Sequence, residues 1–118
     1  MADDTTPLRQ PPVRSTELRD GATIVHLGGE LDLYNAEEVR AALTQAIAGG
    51  SARVVIDMAE VEFVDSTALG VLIEARSKLG RDGLALAAPQ LDTRRTLQVS
   101  GLDRHLPVYE SVEDALAR

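Results

Sequence analysis

The stretch from Arg53 to Ala75, RVVIDMAEVEFVDSTALGVLIEA, decides the fold. Its apolar start, Val54-Val55-Ile56, is rich in β-branched residues and is typical of a strand covered on both faces by helices. The segment Val61 to Val64 leads into Asp65-Ser66-Thr67, after which residues 68 to 75 are apolar nearly all round, which predicts a buried helix. A covered strand followed by a buried helix indicates an α/β fold with a parallel sheet.

Before this stretch, the sequence predicts two strands and a helix. The extended segments 13–19 and 22–28 flank Asp20-Gly21, which is a hairpin signal. We expect Gly28-Gly29 to stop the second strand or to form a bulge in it.

The first helix is predicted to begin at Asn35. Glu38 lies three residues later, as in a capping box. Apolar residues then recur at spacings of three and four until Gly49-Gly50, which ends the helix. One face of this helix should therefore be buried.

After the buried helix the chain continues to alternate between helices and strands. We predict that the buried helix ends at Gly80 or Gly83 and that a strand follows over Leu84–Ala88. A third helix should begin near Asp92 and end at Gly101. An edge strand over His105–Tyr109 and a short helix capped by Ser111 complete the domain. The expected architecture is a mixed sheet of four or five strands with about four helices packed on it.

The composition limits the kinds of function. The chain has 118 residues, one domain's length, with 12 basic against 19 acidic residues and a formal charge of −7. The acid excess argues against nucleic-acid or anionic membrane partners. With no cysteine there is no disulfide or thiolate metal site. We expect a cytoplasmic protein with a disordered, Pro-containing lead-in at residues 1–12 and one domain at 13–118.

Sequence signatures of catalysis and of metal binding are largely missing. The chain lacks the glycine-rich nucleotide motifs, the HExxH motif and the GxSxG motif. His26 and His105 have no partners at metal-ligand spacing, so both are interpreted as structural. The acidic residues Asp57, Glu60, Glu62 and Asp65 have oxygen ligands suited to Mg²⁺, but a solvated charged loop is the better interpretation. We therefore expect no catalytic residue, no metal and no cofactor.

Asp65-Ser66-Thr67 is the most informative segment for function, because it joins a hydrophobic strand to the most buried helix. The simplest interpretation is an N-cap, with Ser66 or Asp65 supplying an oxygen to unpaired backbone N–H groups. The positive end of a helix also accommodates a phosphate. Ser66 is thus a candidate phosphoacceptor as well as a candidate cap.

These residues resemble the bacterial anti-sigma factor antagonists, the phosphorylatable STAS-domain proteins. The resemblance spans about residues 13 to 117, and its strongest part is the run from Asp57 to Val71, similar to the family's signature of a hydrophobic strand, Asp, and then Asp-Ser-Ser/Thr-Gly-Leu-Gly. A second part is Gly29-Glu-Leu-Asp-Leu-Tyr-Asn35, and a third is Ser100-Gly-Leu102. Ala68 departs from the glycine usual at its position.

The resemblance implies a regulatory function. Ser66 would be the phosphorylated residue, and the partner-facing surface would comprise Asp32, Asp65, Ser66 and Thr67. The unphosphorylated protein would bind an anti-sigma factor that is also a serine kinase and so release the sigma factor; phosphorylation would dissolve the complex, and a serine phosphatase would reset it. We expect a monomer or weak dimer that is not an enzyme.

Two other functions stay open. One is a non-switching STAS scaffold in a signalling assembly, in which Ser66 serves mainly as a cap. The other is a small hydrolase or phosphotransfer enzyme using Ser66 or Asp65 as nucleophile, for which the sequence offers no evident general base.

Overall fold

The fold is a five-stranded sheet covered by helices, seen in a computed structural model that describes residues 10–117. The strands are β1 (Val13–Arg19), β2 (Ala22–Leu31), β3 (Val54–Val64), β4 (Leu84–Ala87) and β5 (Val108–Tyr109). The helices are α1 (Ala36–Ala48), α2 (Ser66–Leu79), α3 (Leu91–Ser100) and α4 (Val112–Leu116), and a 3₁₀ turn occupies Leu102–Arg104.

The strands lie in the order β1-β2-β3-β4-β5, as expected for a chain that begins with a hairpin and continues through helical crossovers. The β1–β2 pair is antiparallel, and the other three pairs are parallel. Asp20 and Gly21 join β1 to β2 with φ angles of 53° and 80°, the left-handed conformation of a tight hairpin turn. The predicted α/β class and mixed sheet are confirmed.

Helices cover both faces of the sheet. Along β3, Val54 and Ile56 face one hydrophobic cluster, which also includes residues of α1, α2 and α3, whereas Val55 faces a second cluster with Val112 and Ala115 of α4. This alternation follows from the two-residue period of a strand. It explains why the start of β3 is a continuous apolar run.

Strands β2 and β3 are longer than predicted. β2 passes through Gly28-Gly29 to Leu31, so the expectation of a bulge is confirmed and that of a strand stop is wrong. The pairing register with β3 shifts on both sides of this glycine pair, and Gly29 has a φ of 74°. β3 is continuous because it pairs with β2 as far as Val64.

One predicted helix cap and one predicted strand also differ from the structure. Asn35 precedes α1, but its side chain bonds to the preceding loop, so the predicted capping box with Glu38 is wrong. Helix α3 begins at Leu91, which agrees with the predicted start near Asp92. The predicted edge strand is reduced to Val108–Tyr109, because the residues before it form the 3₁₀ turn and a bend.

The lead-in predicted for residues 1–12 falls mostly outside the described residues, which begin at Gln10. Pro12 is buried, and its carbonyl accepts a 3.0 Å hydrogen bond from the Gly28 N–H. The division of the chain at residue 13 stays a prediction.

Candidate functional site

Helix α2 begins immediately after Asp65, which is its N-cap. Asp65 has extended backbone angles, φ −96° and ψ 179°, and its Oδ1 accepts a 3.0 Å hydrogen bond from the Ala68 N–H. Ser66 is the first helical residue and is exposed. Sequence reasoning left open whether Asp65 or Ser66 caps the helix. The cap is Asp65, and the exposed Ser66 lies beside it.

The second carboxylate oxygen of Asp65 holds the β2–α1 loop, residues 32–35. Its Oδ2 accepts a hydrogen bond from the Leu33 N–H at 3.1 Å, and the Asp65 N–H donates to the Leu31 carbonyl at 3.0 Å. A single side chain thus bonds both the N-terminus of α2 and the neighbouring loop.

The loop is also held by its own polar side chains. Asp32 Oδ1 accepts from the Tyr34 N–H at 3.0 Å. The buried Asn35 accepts from the Asp32 N–H at 2.9 Å and donates from Nδ2 to the Glu30 carbonyl at 2.8 Å. This local bonding is typical of Asx turns, and it means that the Asn35 side chain does not cap α1, although Asn35 directly precedes the helix.

Together, the loop 32–35 and residues 65–68 form what we call the loop–helix surface. Ser66 and Thr67 are exposed on it. Leu33 is 61 % exposed and Tyr34 is 81 % exposed, large values for apolar side chains in an ordered loop. Polar groups held in place beside exposed apolar ones are typical of a protein-binding surface.

The structure brings together Asp32 and Asp65, the predicted acidic residues, through their bonds to the loop backbone. It places Ser66 and Thr67 next to them in the first turn of α2. Sequence reasoning did not identify Leu33, Tyr34 and Phe63 as surface residues, although Phe63 is 53 % exposed. The available signal was the presence of Leu33 and Tyr34 between two turn-forming polar residues, Asp32 and Asn35.

His26 lies between two carboxylates on the sheet. Its Nδ1 is 2.7 Å from Asp57 Oδ2 and its Nε2 is 2.7 Å from Glu17 Oε1. Partial burial lowers the pKa of His26, but the hydrogen bonds that its ring donates to Glu17 and Asp57 outweigh this effect, and the net shift of the pKa is upward. The hydrogen bonds of His26 and Arg19 lower the pKa of Glu17. This bonding fits the structural interpretation of His26.

Two of the acidic residues considered as magnesium ligands, Asp57 and Asp65, bond to other groups. Asp57 binds His26 and accepts from the Ala59 N–H, and Asp65 caps α2. Within residues 10–117, no three acidic or histidine side chains gather closely enough to hold a metal ion. In the same range, each helix is too short or too polar to cross a membrane.

Comparisons with known proteins point to one family. The family model described as "STAS domain" matches residues 14–115. The chain is 31 % identical over 98 residues to the anti-sigma-F factor antagonist RsfB of Mycobacterium tuberculosis, covering 82 % of this chain and 80 % of RsfB. An anti-sigma factor antagonist from Mycobacterium paratuberculosis has a similar crystal structure, with a TM-score of 0.81 at 34 % identity over 87 % of this chain and 89 % of that one.

The Bacillus protein SpoIIAA, also an anti-sigma factor antagonist, is structurally similar in two forms. Its unphosphorylated form has a TM-score of 0.73 at 25 % identity, covering 88 % of this chain and 93 % of that one. Its phosphorylated form has a TM-score of 0.66 at 26 % identity, covering 88 % and 96 %.

Proposed function

The chain belongs to the STAS domain family, and from that premise we propose that it is an anti-sigma factor antagonist controlled by phosphorylation of Ser66. In this proposal the loop–helix surface binds an anti-sigma factor that is also a serine kinase. Binding releases the sigma factor, phosphorylation of Ser66 ends binding, and a serine phosphatase restores it. RsfB and the Mycobacterium paratuberculosis protein support the antagonist function, since both are named as such.

The observation that carries the proposal is the position of Ser66. Its side chain is exposed at the first residue of α2, while the neighbouring Asp65 performs the capping. A hydroxyl with no role in holding the helix is free to be modified. The two SpoIIAA forms support the same regulation, because a protein with this fold exists with and without phosphate.

A phosphate on Ser66 would be tolerated by the fold. It adds a charge of about −1.5 to −2 at the positive end of α2, where negative charge is stabilised by about 0.3–1 kcal/mol. The modified domain should therefore stay folded.

A phosphate there would oppose binding. A partner that covers Ser66 must remove water from the phosphate, and the carboxylate of Asp65 next to it raises that cost. If binding brings a negatively charged group of the partner within about 5 Å of the phosphate, the repulsion costs about 3 kcal/mol at an effective dielectric constant of about 20. A cost of that size weakens a complex about a hundredfold. Binding can thus be lost without unfolding.

The test is calorimetric titration against the anti-sigma serine kinases encoded in the same genome. Wild-type protein should bind one of them with ADP and lose binding after incubation with ATP. Ser66→Ala should remain bound with ATP, and Ser66→Asp should bind weakly while keeping the wild-type melting profile. Ser15→Ala is the matched control, because it removes an exposed hydroxyl from β1, outside the loop–helix surface, and it should behave as the wild type does.

Peptide mapping after incubation with ATP identifies the modified residue. Phosphate on Thr67, or on any hydroxyl of Ser66→Ala, would overturn the assignment to Ser66. Binding that is the same before and after phosphorylation would instead support the non-switching scaffold.

A further inference from the structure

Helix α2 continues beyond the loop–helix surface with an exposed face that includes a glycine the fold does not require. Ser66, Gly70 and Ile73 are spaced by four and three residues, so they lie on one side of the helix. Gly70 is exposed, and a Cβ built on it would meet nothing within 4 Å. Glycine inside a helix costs about 0.5–1 kcal/mol relative to alanine. Packing among residues 10–117 does not explain that cost.

An apolar groove of about 410 Å³ lies beside this face. Leu69 and Ile73 line it from α2, and Leu102 lines it from the 3₁₀ turn. Ile73 is 51 % exposed. Gly101 also lines the groove; its φ of 78° at the end of α3 explains why it is glycine, and no side chain there blocks the groove. The groove thus offers apolar contacts at a place where another backbone can approach closely.

The groove also carries a basic group. Arg76 lines it, and Arg76 Nε donates a 2.6 Å hydrogen bond to the His105 carbonyl, which fixes the guanidinium beside the apolar residues. Arg14, Arg19, Arg40 and Arg94 all pair with glutamates. Within residues 10–117, Arg76 shares the lack of a carboxylate partner with Arg81, Arg95 and Arg104, but of these four arginines it is the one that lines the groove. A fixed guanidinium without a carboxylate suits an acidic group from outside the chain.

We propose that the anti-sigma partner extends from the loop–helix surface into this groove. Its backbone crosses α2 at Gly70, an apolar side chain enters between Leu69, Ile73 and Leu102, and a nearby carboxylate binds Arg76. This inference rests on the proposed function and adds the second contact region and its chemistry: an apolar residue beside an acidic one.

Continuity along α2 favours the anti-sigma partner over a second copy of this chain. Gly70 lies four residues from Ser66, about 6 Å along the helix axis. A stable interface buries about 800 Å² on each partner and about 20–30 residues. A partner that covers Ser66 therefore extends well past the first turn of α2. Gly70 is the first position beyond that turn where the partner's backbone can approach the helix closely.

The test uses the full chain and the same panel of anti-sigma kinases, with ADP. Gly70→Ala should raise the urea midpoint, because alanine is the better helix former, yet weaken binding by about tenfold or more through its added methyl group. Ile73→Ser and Arg76→Gln should also weaken binding by about tenfold. Leu18→Ser is the matched control for Ile73→Ser, since Leu18 is 79 % exposed and lines a different groove, beside α1. It should bind as the wild type does.

The outcomes separate this inference from the proposed function. If the wild type binds a kinase and responds to ATP while Gly70→Ala and Ile73→Ser bind within about twofold of it, the groove is not part of the interface and only this inference falls. If the wild type binds none of the kinases, both proposals fall. Self-association that Ile73→Ser abolishes without changing kinase binding would show that a second copy occupies the groove, which also overturns the inference.

Discussion

Replacing Asp65 by alanine should destabilise the domain far more than replacing the adjacent Ser66. Asp65→Ala removes the acceptor of the Ala68 N–H and the acceptor of the Leu33 N–H at one time. Ser66→Ala removes an exposed hydroxyl from the first position of α2. The comparison tests whether capping and phosphate acceptance are divided between the two residues.

The magnitude follows from the two bonds. Loss of an N-cap costs about 0.5–2 kcal/mol, and loss of a hydrogen bond costs about 0.5–1.5 kcal/mol more. We expect Asp65→Ala to lower the free energy of unfolding by about 1–3.5 kcal/mol in total. Ser66→Ala should change it by less than about 0.5 kcal/mol, as is usual for a surface substitution.

Urea denaturation followed by circular dichroism measures both variants. With a slope of about 1–3 kcal/mol per M, the loss for Asp65→Ala corresponds to a decrease of about 1 M in the midpoint. Asp65→Asn is the matched control, because asparagine keeps an acceptor for the Ala68 N–H and is itself a good N-cap. Its loss should be under about 1 kcal/mol.

Either of two results would refute this reasoning. One is a loss below about 0.5 kcal/mol for Asp65→Ala, which would mean that neither bond stabilises the domain. The other is an equal loss for Ser66→Ala, which would mean that the serine hydroxyl takes part in capping.

Two further predictions concern stability away from this surface. The pKa of His26 is raised in the folded protein, so its contribution to stability is fully present below the unfolded pKa of about 6.5 and is lost as pH rises through the folded pKa. The wild type should therefore lose unfolding free energy between about pH 6 and pH 9, and His26→Gln should lose less. Urea titrations at the two pH values measure this difference. An equal loss in both proteins would contradict the raised pKa of His26 as its cause. Gly83→Ala should destabilise the domain by more than about 1 kcal/mol, because the new Cβ would lie 2.5 Å from the Leu79 carbonyl oxygen. Its effect on the urea midpoint should be opposite in sign to that of Gly70→Ala, and a stabilising effect would show that the Leu79–Gly83 turn relaxes freely.

The elements that could be predicted from the sequence are those with a strong local signal. The β-branched start of β3, the three- and four-residue spacing of α1 and the Asp20-Gly21 turn all lie where the sequence indicated. Their patterns reflect burial and backbone conformation that neighbouring residues determine by themselves.

The rest depends on contacts between distant segments. The middle of β3 carries Glu60 and Glu62, which favour a loop, yet it stays a strand because β2 pairs with it on both sides of the bulge at Gly28-Gly29. The loss of strand character in residues 105–107 similarly follows from the 3₁₀ turn before them. Tertiary pairing overrides local preference in both cases.

For the site, the sequence located the correct segment but could not assign its parts. Asp65 and Ser66 are both good caps, and only the backbone angles of Asp65 decide between them. Asn35 shows the same limitation, since it has the sequence context of a cap but bonds to its own loop. Exposed apolar residues such as Tyr34 were not recognised, because an apolar side chain in a loop has the same sequence appearance whether it packs inward or outward.

The capping of α2 by Asp65 has a consequence for how regulation can evolve. Because the side chain at position 66 makes no bond within residues 10–117 that the helix needs, serine, threonine, alanine or aspartate can stand there at little cost to folding. A lineage can therefore lose or regain a modifiable residue by one substitution, without passing through an unstable ancestor. Selection at this position is then free to follow the signalling needs of the cell, while selection for a folded protein acts on its neighbour.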